Sequence, residues 1–210
     1  MKYVLCVLIG YLIGVINPSY IIAKSHGFDI RKKGSGNAGA SNALILFGKV
    51  LGIGCALLDI AKATFAIWLS EKLFPGLAYS LAATGVACII GHVFPFYMNF
   101  RGGKGLACLG GMILAFDWRV FLIMLTAEVL VVIITDYICF VPITASLAFP
   151  IIYGIMRHDL YGALFLAIIF PLMLFKHKEN LKRIKQNTEM PFSFLWNKDK
   201  ALAKTNIAKR

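Results

Sequence analysis

Three short stretches of the chain carry residue types that hold anions or steer protons. The first is GSGNAGASN, residues 34–42. Gly34, Gly36 and Gly39 have no side chains to cover their backbone N–H groups, which can converge on a common space and form a nest for an anion. The hydroxyls of Ser35 and Ser41 and the amides of Asn37 and Asn42 add neutral donors. A helix beginning near Ala40 would present its N-terminus to the same anion. The second stretch, NFRGGKGLA, sets Lys104 among Gly102, Gly103 and Gly105. A lysine framed by glycines suits a phosphate oxygen, because it is a mobile point charge with backbone donors beside it. The third is HKENLKRIKQNTE, in which a spacing of three puts His177 and Asn180 on one helical face. An imidazole with an amide beside it orients a hydroxyl or donates to an oxyanion.

Competing readings of these glycines fit less well. Gly34, Gly36 and Gly39 match the G-x-G-x-x-G dinucleotide fingerprint, which requires a preceding strand and a βαβ unit. Here an apolar run and the basic stretch FDIRKKG come first, and Asp59, at the spacing of a ribose-binding acid, lies inside the apolar segment LLDIAKA. The second loop lacks Walker spacing, with Gly105 where Ser or Thr belongs. Helix packing alone accounts for glycines, but not for two Ser and two Asn among them.

The elements that must position these loops are membrane helices. The chain is 59% hydrophobic and 15% charged, with a mean hydropathy of +0.76. A soluble domain carries about 25% charged residues, so this composition belongs to an integral membrane protein. A helix crosses a bilayer with about 20 apolar residues. The spans expected on that basis are 3–23, 50–73, 77–97, a short 105–116, 120–135, 138–156 and 160–175. Asp117, Trp118 and Arg119 divide the fourth from the fifth, and Arg157-His158-Asp159 the sixth from the seventh. The first span is too long for a signal-peptide core and is followed by no small-residue cleavage site. The fold class is therefore all-α, a polytopic bundle of about seven transmembrane helices. Residues 1–190 form one membrane domain and 191–210 a basic tail.

Charge sets the orientation, since Lys and Arg collect on the cytoplasmic side. With the N-terminus outside, seventeen positives fall in loop 24–49, loop 98–104 and the C-terminal tail, against four outside. The C-terminus and all three motif-bearing stretches then face the cytoplasm. The net charge of +12 flanks apolar spans rather than studding one soluble face, which argues against a nucleic-acid partner. Lys62 and Asp59, three apart within a span, are expected to neutralise each other, and His92 to make a structural hydrogen bond. Cys6, Cys55, Cys88, Cys108 and Cys139 are widely spaced and read as small apolar residues; no metal or cofactor is expected.

Taken together, GSGNAGASN, LLDIAKA, GHVFPFYMNFRGGKG and HKENLKR with Glu189 after it resemble, in order and spacing, the bacterial acyl-phosphate:glycerol-3-phosphate acyltransferases. The resemblance covers nearly the whole chain. It implies a seven-span enzyme of the bacterial cell membrane, with its active site facing the cytoplasm. The reaction it implies is transfer of a fatty acyl group from acyl phosphate to the 1-hydroxyl of glycerol 3-phosphate, giving lysophosphatidic acid for phospholipid synthesis. Ser35, Lys104, His177 and Asn180 are then the candidate catalytic residues. The candidate substrate-binding residues are Gly34, Gly36, Asn37, Gly39, Ser41, Asn42, Gly102, Gly103 and Gly105. The acyl chain is expected between spans, near Phe94 and Phe96. The sequence departs from the family pattern at Ile45 (usually Arg), Cys108 (Thr), Pro142 (Ser), Asn187 (Gly) and Pro191 (Lys). Lys49, one turn beyond Ile45 if the segment is helical, is a candidate substitute for the missing charge. The rival readings are a catalytically silent relative that binds phospholipid precursors and a small anion transporter. A transporter would show two similar halves around a midplane site.

Overall fold

The computed structural model describes residues 1–195 and 197, which contain helices and turns and no strand. It divides into two compact units, Met1–Phe121 and Leu122–Arg210. Among the described residues, six segments are long and apolar enough to cross a membrane: Lys2–Ser25, Lys49–Leu73, Ser80–Met98, Trp118–Thr135, Phe140–Arg157 and Leu160–Lys185. The short fourth span expected from the sequence is the 11-residue helix Leu106–Phe116.

In the first unit, α1 (Lys2–Gly14) and α2 (Pro18–Ser25) are separated at Asn17. Pro18 opens α2, where its missing N–H is harmless, and Asn17 caps it by accepting from the Tyr20 N–H at 2.8 Å. A 3-10 turn, Ile30–Lys32, leads to the glycine loop and then to α3 (Ala40–Phe47). Gly48, at φ +84°, ends α3, and α4 (Lys49–Leu73) starts directly after it. Lys49 therefore opens a new helix and is not one turn on from Ile45, which removes it as the expected substitute. α5 (Ser80–Val93), a second 3-10 turn (Phe96–Met98), α6 (Leu106–Phe116) and the first turn of α7 (Trp118–Thr135) complete the unit.

α5 is the most enclosed of these helices, because it is built from small residues that let its neighbours' backbones approach. A Cβ on Gly14 of α1 would lie 2.3 Å from the Cys88 carbonyl oxygen, and one on Gly111 of α6 would lie 2.2 Å from that of Ile60. Large side chains such as Leu8, Leu57, Phe65 and Trp68 point outward, as a lipid-facing surface requires.

One polar cluster crosses this packing. Lys62 of α4 lies 2.7 Å from Asp59 and 3.0 Å from Nδ1 of His92 on α5, and donates to the Ile16 carbonyl at the α1–α2 break. The expected Asp59–Lys62 neutralisation is present, and His92 belongs to the same cluster.

In the second unit, α8 (Phe140–Arg157) packs against α9 (Leu160–Leu166) and α10 (Ile169–Lys185). Thr144 of α8 donates to the Glu128 carboxylate of α7 at 2.7 Å. After α10, a 3-10 turn, Phe192–Leu195, is tied to Asp136, whose carboxylate accepts from the Ser193 N–H and hydroxyl at 2.8 Å each. Residues 196 and 198–210 of the expected basic tail lie outside the described residues.

Removing one member of a buried ion pair leaves a charge without compensation, at a cost of about 3–5 kcal/mol. Lys62→Ala is accordingly expected to lower thermal stability in detergent sharply. The double variant Lys62→Ala/Asp59→Asn is expected to recover much of the loss, as thermal unfolding of the purified variants will measure.

Candidate active site

The first glycine loop is built around Asn42. This side chain is fully buried; its Oδ1 accepts from the Ser35 N–H at 2.8 Å, and its Nδ2 donates to the carbonyls of Ile30, Lys33 and Asn37 at 2.9–3.0 Å. From the sequence, Asn42 is expected to donate to the anion. The structure turns its amide inward instead, so Asn42 is the centre around which the loop closes. Gly34 and Gly36 sit at φ +60° and +73°, where a side chain is strained. Gly39 is extended, and its lack of a side chain serves contact: a Cβ there would lie 2.8 Å from Asn37 Nδ2 and 4.0 Å from the Gly103 Cα. Asn17 holds the loop from below, donating to the Ala38 carbonyl at 2.8 Å. Ser35 and Ser41 are exposed, and Asn37 is half-buried.

The Gly39–Gly103 approach brings the two glycine loops side by side. In the second loop the N–H groups of Gly102 and Gly103 donate to the carbonyls of Val93 and His92 at 3.0 and 3.1 Å. A Cβ on Gly103 would fall 2.0 Å from His92 Nε2, so the loop lies directly on the imidazole and only glycine fits. Gly105, at φ +89°, caps α6, and Lys104 is the half-exposed residue just before it. Helices α3 and α6 thus both start at these loops, and each helix N-terminus carries a positive partial charge that favours an anion. An apolar cleft of about 370 Å³, lined by Val15, Ile16, Tyr20, Ile21, Lys24 and Tyr97, opens on the same unit.

Arg31 carried no role in the sequence reading beyond its charge. Its guanidinium donates from Nε and Nη2 to Asp29, with a shortest contact of 2.6 Å. From Nη1 it donates to the carbonyls of Met98 at 2.5 Å and Arg101 at 3.3 Å. It lies 5.4 Å above the Tyr20 ring, whose edge meets Tyr97. The contacts join residues 67 and 70 positions apart, so no local pattern announces them.

His177 and Asn180 belong to the second unit, where both are buried on α10. The His177 Nδ1 lies 2.9 Å from the Met173 carbonyl, which can only accept, so Nδ1 carries a proton and donates to it. Asn180 Nδ2 donates to Glu189 Oε1, and Arg183 Nε to Glu189 Oε2, each at 2.5 Å. Glu189 therefore sets the direction of the Asn180 amide.

The departures from the family pattern find different local settings. Asn187 takes the left-handed conformation at φ +53° that suits Gly, and Asn adopts it more readily than most residues. Pro142 lies in the first turn of α8, where a missing N–H is tolerated. Cys108 is buried beside Asp59 and His92; the Lys62 ammonium already holds both of those groups. Ile45 is 52% exposed on α3, one turn after Ser41. Pro191 is buried, and nothing in the structure explains its place there.

Paired glycine loops at two helix N-termini, carried on apolar spans, define a polytopic membrane protein. Comparison with known proteins narrows this class. Residues 4–187 match the glycerol-3-phosphate acyltransferase family. The chain is 39% identical over 208 residues to glycerol-3-phosphate acyltransferase 1 of Oceanobacillus iheyensis, covering 94% of this chain and 99% of that protein. It is 35% identical over 183 residues to glycerol-3-phosphate acyltransferase 2 of Thermotoga maritima, covering 87% and 92%. Among solved structures it is similar to PlsY (YgiH), an integral membrane glycerol 3-phosphate acyltransferase, in its glycerol 3-phosphate form. The TM-score is 0.84 at 31% identity, over 93% of this chain and 98% of that one. The lysophosphatidic acid form gives 0.82 at 28% identity, over 93% and 97%. The chain belongs to the glycerol-3-phosphate acyltransferase family.

The Asp29–Arg31 pair gives a pH test of the loop framework. Hydrogen bonds from Arg31 hold the Asp29 carboxyl down at about 2, against about 3.9 in an unfolded chain. A depressed carboxyl stabilises the fold fully above the unfolded value and loses that contribution as pH falls through the folded one. Protease resistance of loop 24–39 is expected to hold from neutrality to about pH 4 and to fade toward about pH 2. Asp29→Asn should remove that dependence.

Proposed function

We propose that this protein transfers a fatty acyl group from acyl phosphate to the 1-hydroxyl of glycerol 3-phosphate, giving lysophosphatidic acid for phospholipid synthesis. Family membership favours this reading over a silent phospholipid-binding relative and over an anion transporter. The observation that carries it is the meeting of two glycine loops, each leading into a helix N-terminus, with Lys104 at their edge.

The chemistry asks for little beyond this. Acyl phosphate is a mixed anhydride, already activated, so no covalent enzyme intermediate is required. The new C–O ester bond forms as the anhydride C–O bond breaks, inorganic phosphate leaves, and the hydroxyl proton passes to that phosphate. Holding hydroxyl and acyl carbon in reach supplies much of the rate. In the first loop, framed by Asn42, phosphate is received by the hydroxyls of Ser35 and Ser41, the Asn37 amide and the backbone N–H groups of Gly34 and Gly39. The N–H groups of Ser35 and Gly36 bond to Asn42 and Lys33 within the loop. In the second loop the Gly102 and Gly103 N–H groups are taken by the Val93 and His92 carbonyls, so these glycines and Gly105 shape the loop. Lys104 supplies the full positive charge, which also stabilises the leaving group. His177 and Asn180, the latter held by Glu189, are the candidates for orienting the acceptor hydroxyl. The apolar cleft beside Tyr97 and the exposed Phe96 suit the acyl chain. Residues 1–190 act as one acyltransferase domain in the bacterial cell membrane, with the N-terminus outside and the C-terminus cytoplasmic. The seventeen cytoplasmic positives support that orientation.

Purified protein in lipid vesicles, given labelled glycerol 3-phosphate, is expected to make lysophosphatidate from acyl phosphate and not from acyl-CoA. Product from acyl-CoA alone would reassign the donor. Lys104→Ala should lower kcat/KM by about 10–100-fold, the weight of a charge-assisted contact, while the protein still inserts. Wild-type turnover in that variant would remove Lys104 from the site. Ile45→Arg places a cation on the exposed face of α3 one turn from Ser41, and should raise kcat/KM by about tenfold in the same assay.

A further inference from the structure

We propose that Arg31 is a positioning residue that holds a strained turn in the shape that sets Lys104 for phosphate. The ligand named here rests on the function proposed above; the brace itself rests on geometry.

Asn99 and Phe100 lie in succession at φ +53° and +56°. Left-handed backbone is tolerable for Asn, but for a bulky aromatic it is a strained conformation that surrounding structure must enforce. Burial of the side chains does not enforce it, since Asn99 and Phe100 are both exposed. The backbone does. The Asn99, Phe100 and Arg101 N–H groups donate to the carbonyls of Phe96, Pro95 and Met98 at 3.3, 3.1 and 3.2 Å. Arg31 then reaches from the other loop to the carbonyls on both sides of the pair, Met98 before it and Arg101 after it. Two points held by one planar group fix the spacing of the turn between them. The next residues are Gly102 and Gly103, whose N–H groups bond to the Val93 and His92 carbonyls, and then Lys104, so an error in the turn passes along the loop to the lysine.

The guanidinium is itself fixed. Asp29 takes its Nε and Nη2, and the Tyr20 ring lies beneath it. Asp29 also caps the 3-10 turn that leads into the first glycine loop, accepting from the Arg31 N–H at 3.0 Å. Arg31 thereby sets the entrance of one loop and the exit turn of the other at the same time. With its donors aimed at Asp29 and two carbonyls, it acts through the loops and not on phosphate. Lysine keeps the charge but lacks the planar fork, so it cannot make these contacts together.

Arg31→Lys is expected to raise KM for glycerol 3-phosphate by about tenfold, the effect of losing one charge-assisted contact, with kcat nearly unchanged. Phe100→Gly removes the strain that the brace opposes. Alone it should leave the kinetics unchanged, and in the Arg31→Lys background it should return KM toward wild type. A second readout needs no acyl transfer: protection of Lys104 by inorganic phosphate against an amine-acylating reagent, followed by mass spectrometry. Arg31→Lys should require about tenfold more phosphate for that protection, again restored by Phe100→Gly. If Arg31→Lys fails to insert, Asp29→Asn, which leaves the guanidinium unanchored, should show the same shifts. Wild-type KM and protection in the inserted variants, or no restoration by Phe100→Gly, would overturn the proposal. Wild-type protein that shows phosphate protection but makes no lysophosphatidate would sink the proposed reaction, and the protection data alone would then decide the brace.

Discussion

A single ammonium group organises the first unit. An unpaired charge among apolar helices is costly, so Lys62 must find partners wherever the bundle offers them. It finds Asp59 one turn back on α4, His92 on α5, and the Ile16 carbonyl exposed where α1 gives way to α2. Each partner belongs to a part of the chain that serves the candidate site. The α1–α2 break carries Asn17, which holds the first glycine loop at Ala38. His92 presents its imidazole to the underside of Gly103. A polar cluster placed for electrostatic reasons thus fixes the height of both loops.

Above that cluster, the glycines serve three different purposes. Gly34, Gly36 and Gly105 supply backbone angles that side chains resist. Gly39 and Gly103 allow backbone to approach backbone and imidazole. Gly102 packs against the His92 carbonyl and the Pro95 ring. The outcome is a pair of adjoining glycine loops at two helix N-termini, with Lys104 between Gly103 and Gly105. The phosphate proposed to bind there would be held by groups indifferent to what it carries. Selection of a particular acceptor then falls to side chains that read hydroxyls, the role proposed for His177 and Asn180.

Much of this was legible in the sequence, because its causes are local. Apolar runs of the right length announced the spans, and the helix after Gly39 and the pairing of Asp59 with Lys62 followed from composition and spacing. The short fourth segment was found by its flanking Asp117-Trp118-Arg119. What escaped depended on contacts across long stretches of chain. Asn42 looked like a ligand donor until its amide proved to be the centre of the loop. Arg31 looked like one positive charge among several, yet its carbonyl partners lie in the other loop. Gly48 was the signal that should have ruled out a helix running from Ile45 to Lys49. Asn187 shows the opposite case, where an apparent departure keeps the backbone conformation that glycine would supply.

A structure with glycerol 3-phosphate bound tests most directly whether the two glycine loops form one phosphate site. The phosphate should lie within about 2.7–3.2 Å of both the Lys104 ammonium and a backbone N–H of the 34–41 loop. A phosphate seated on one loop alone, or held away from both, would contradict it.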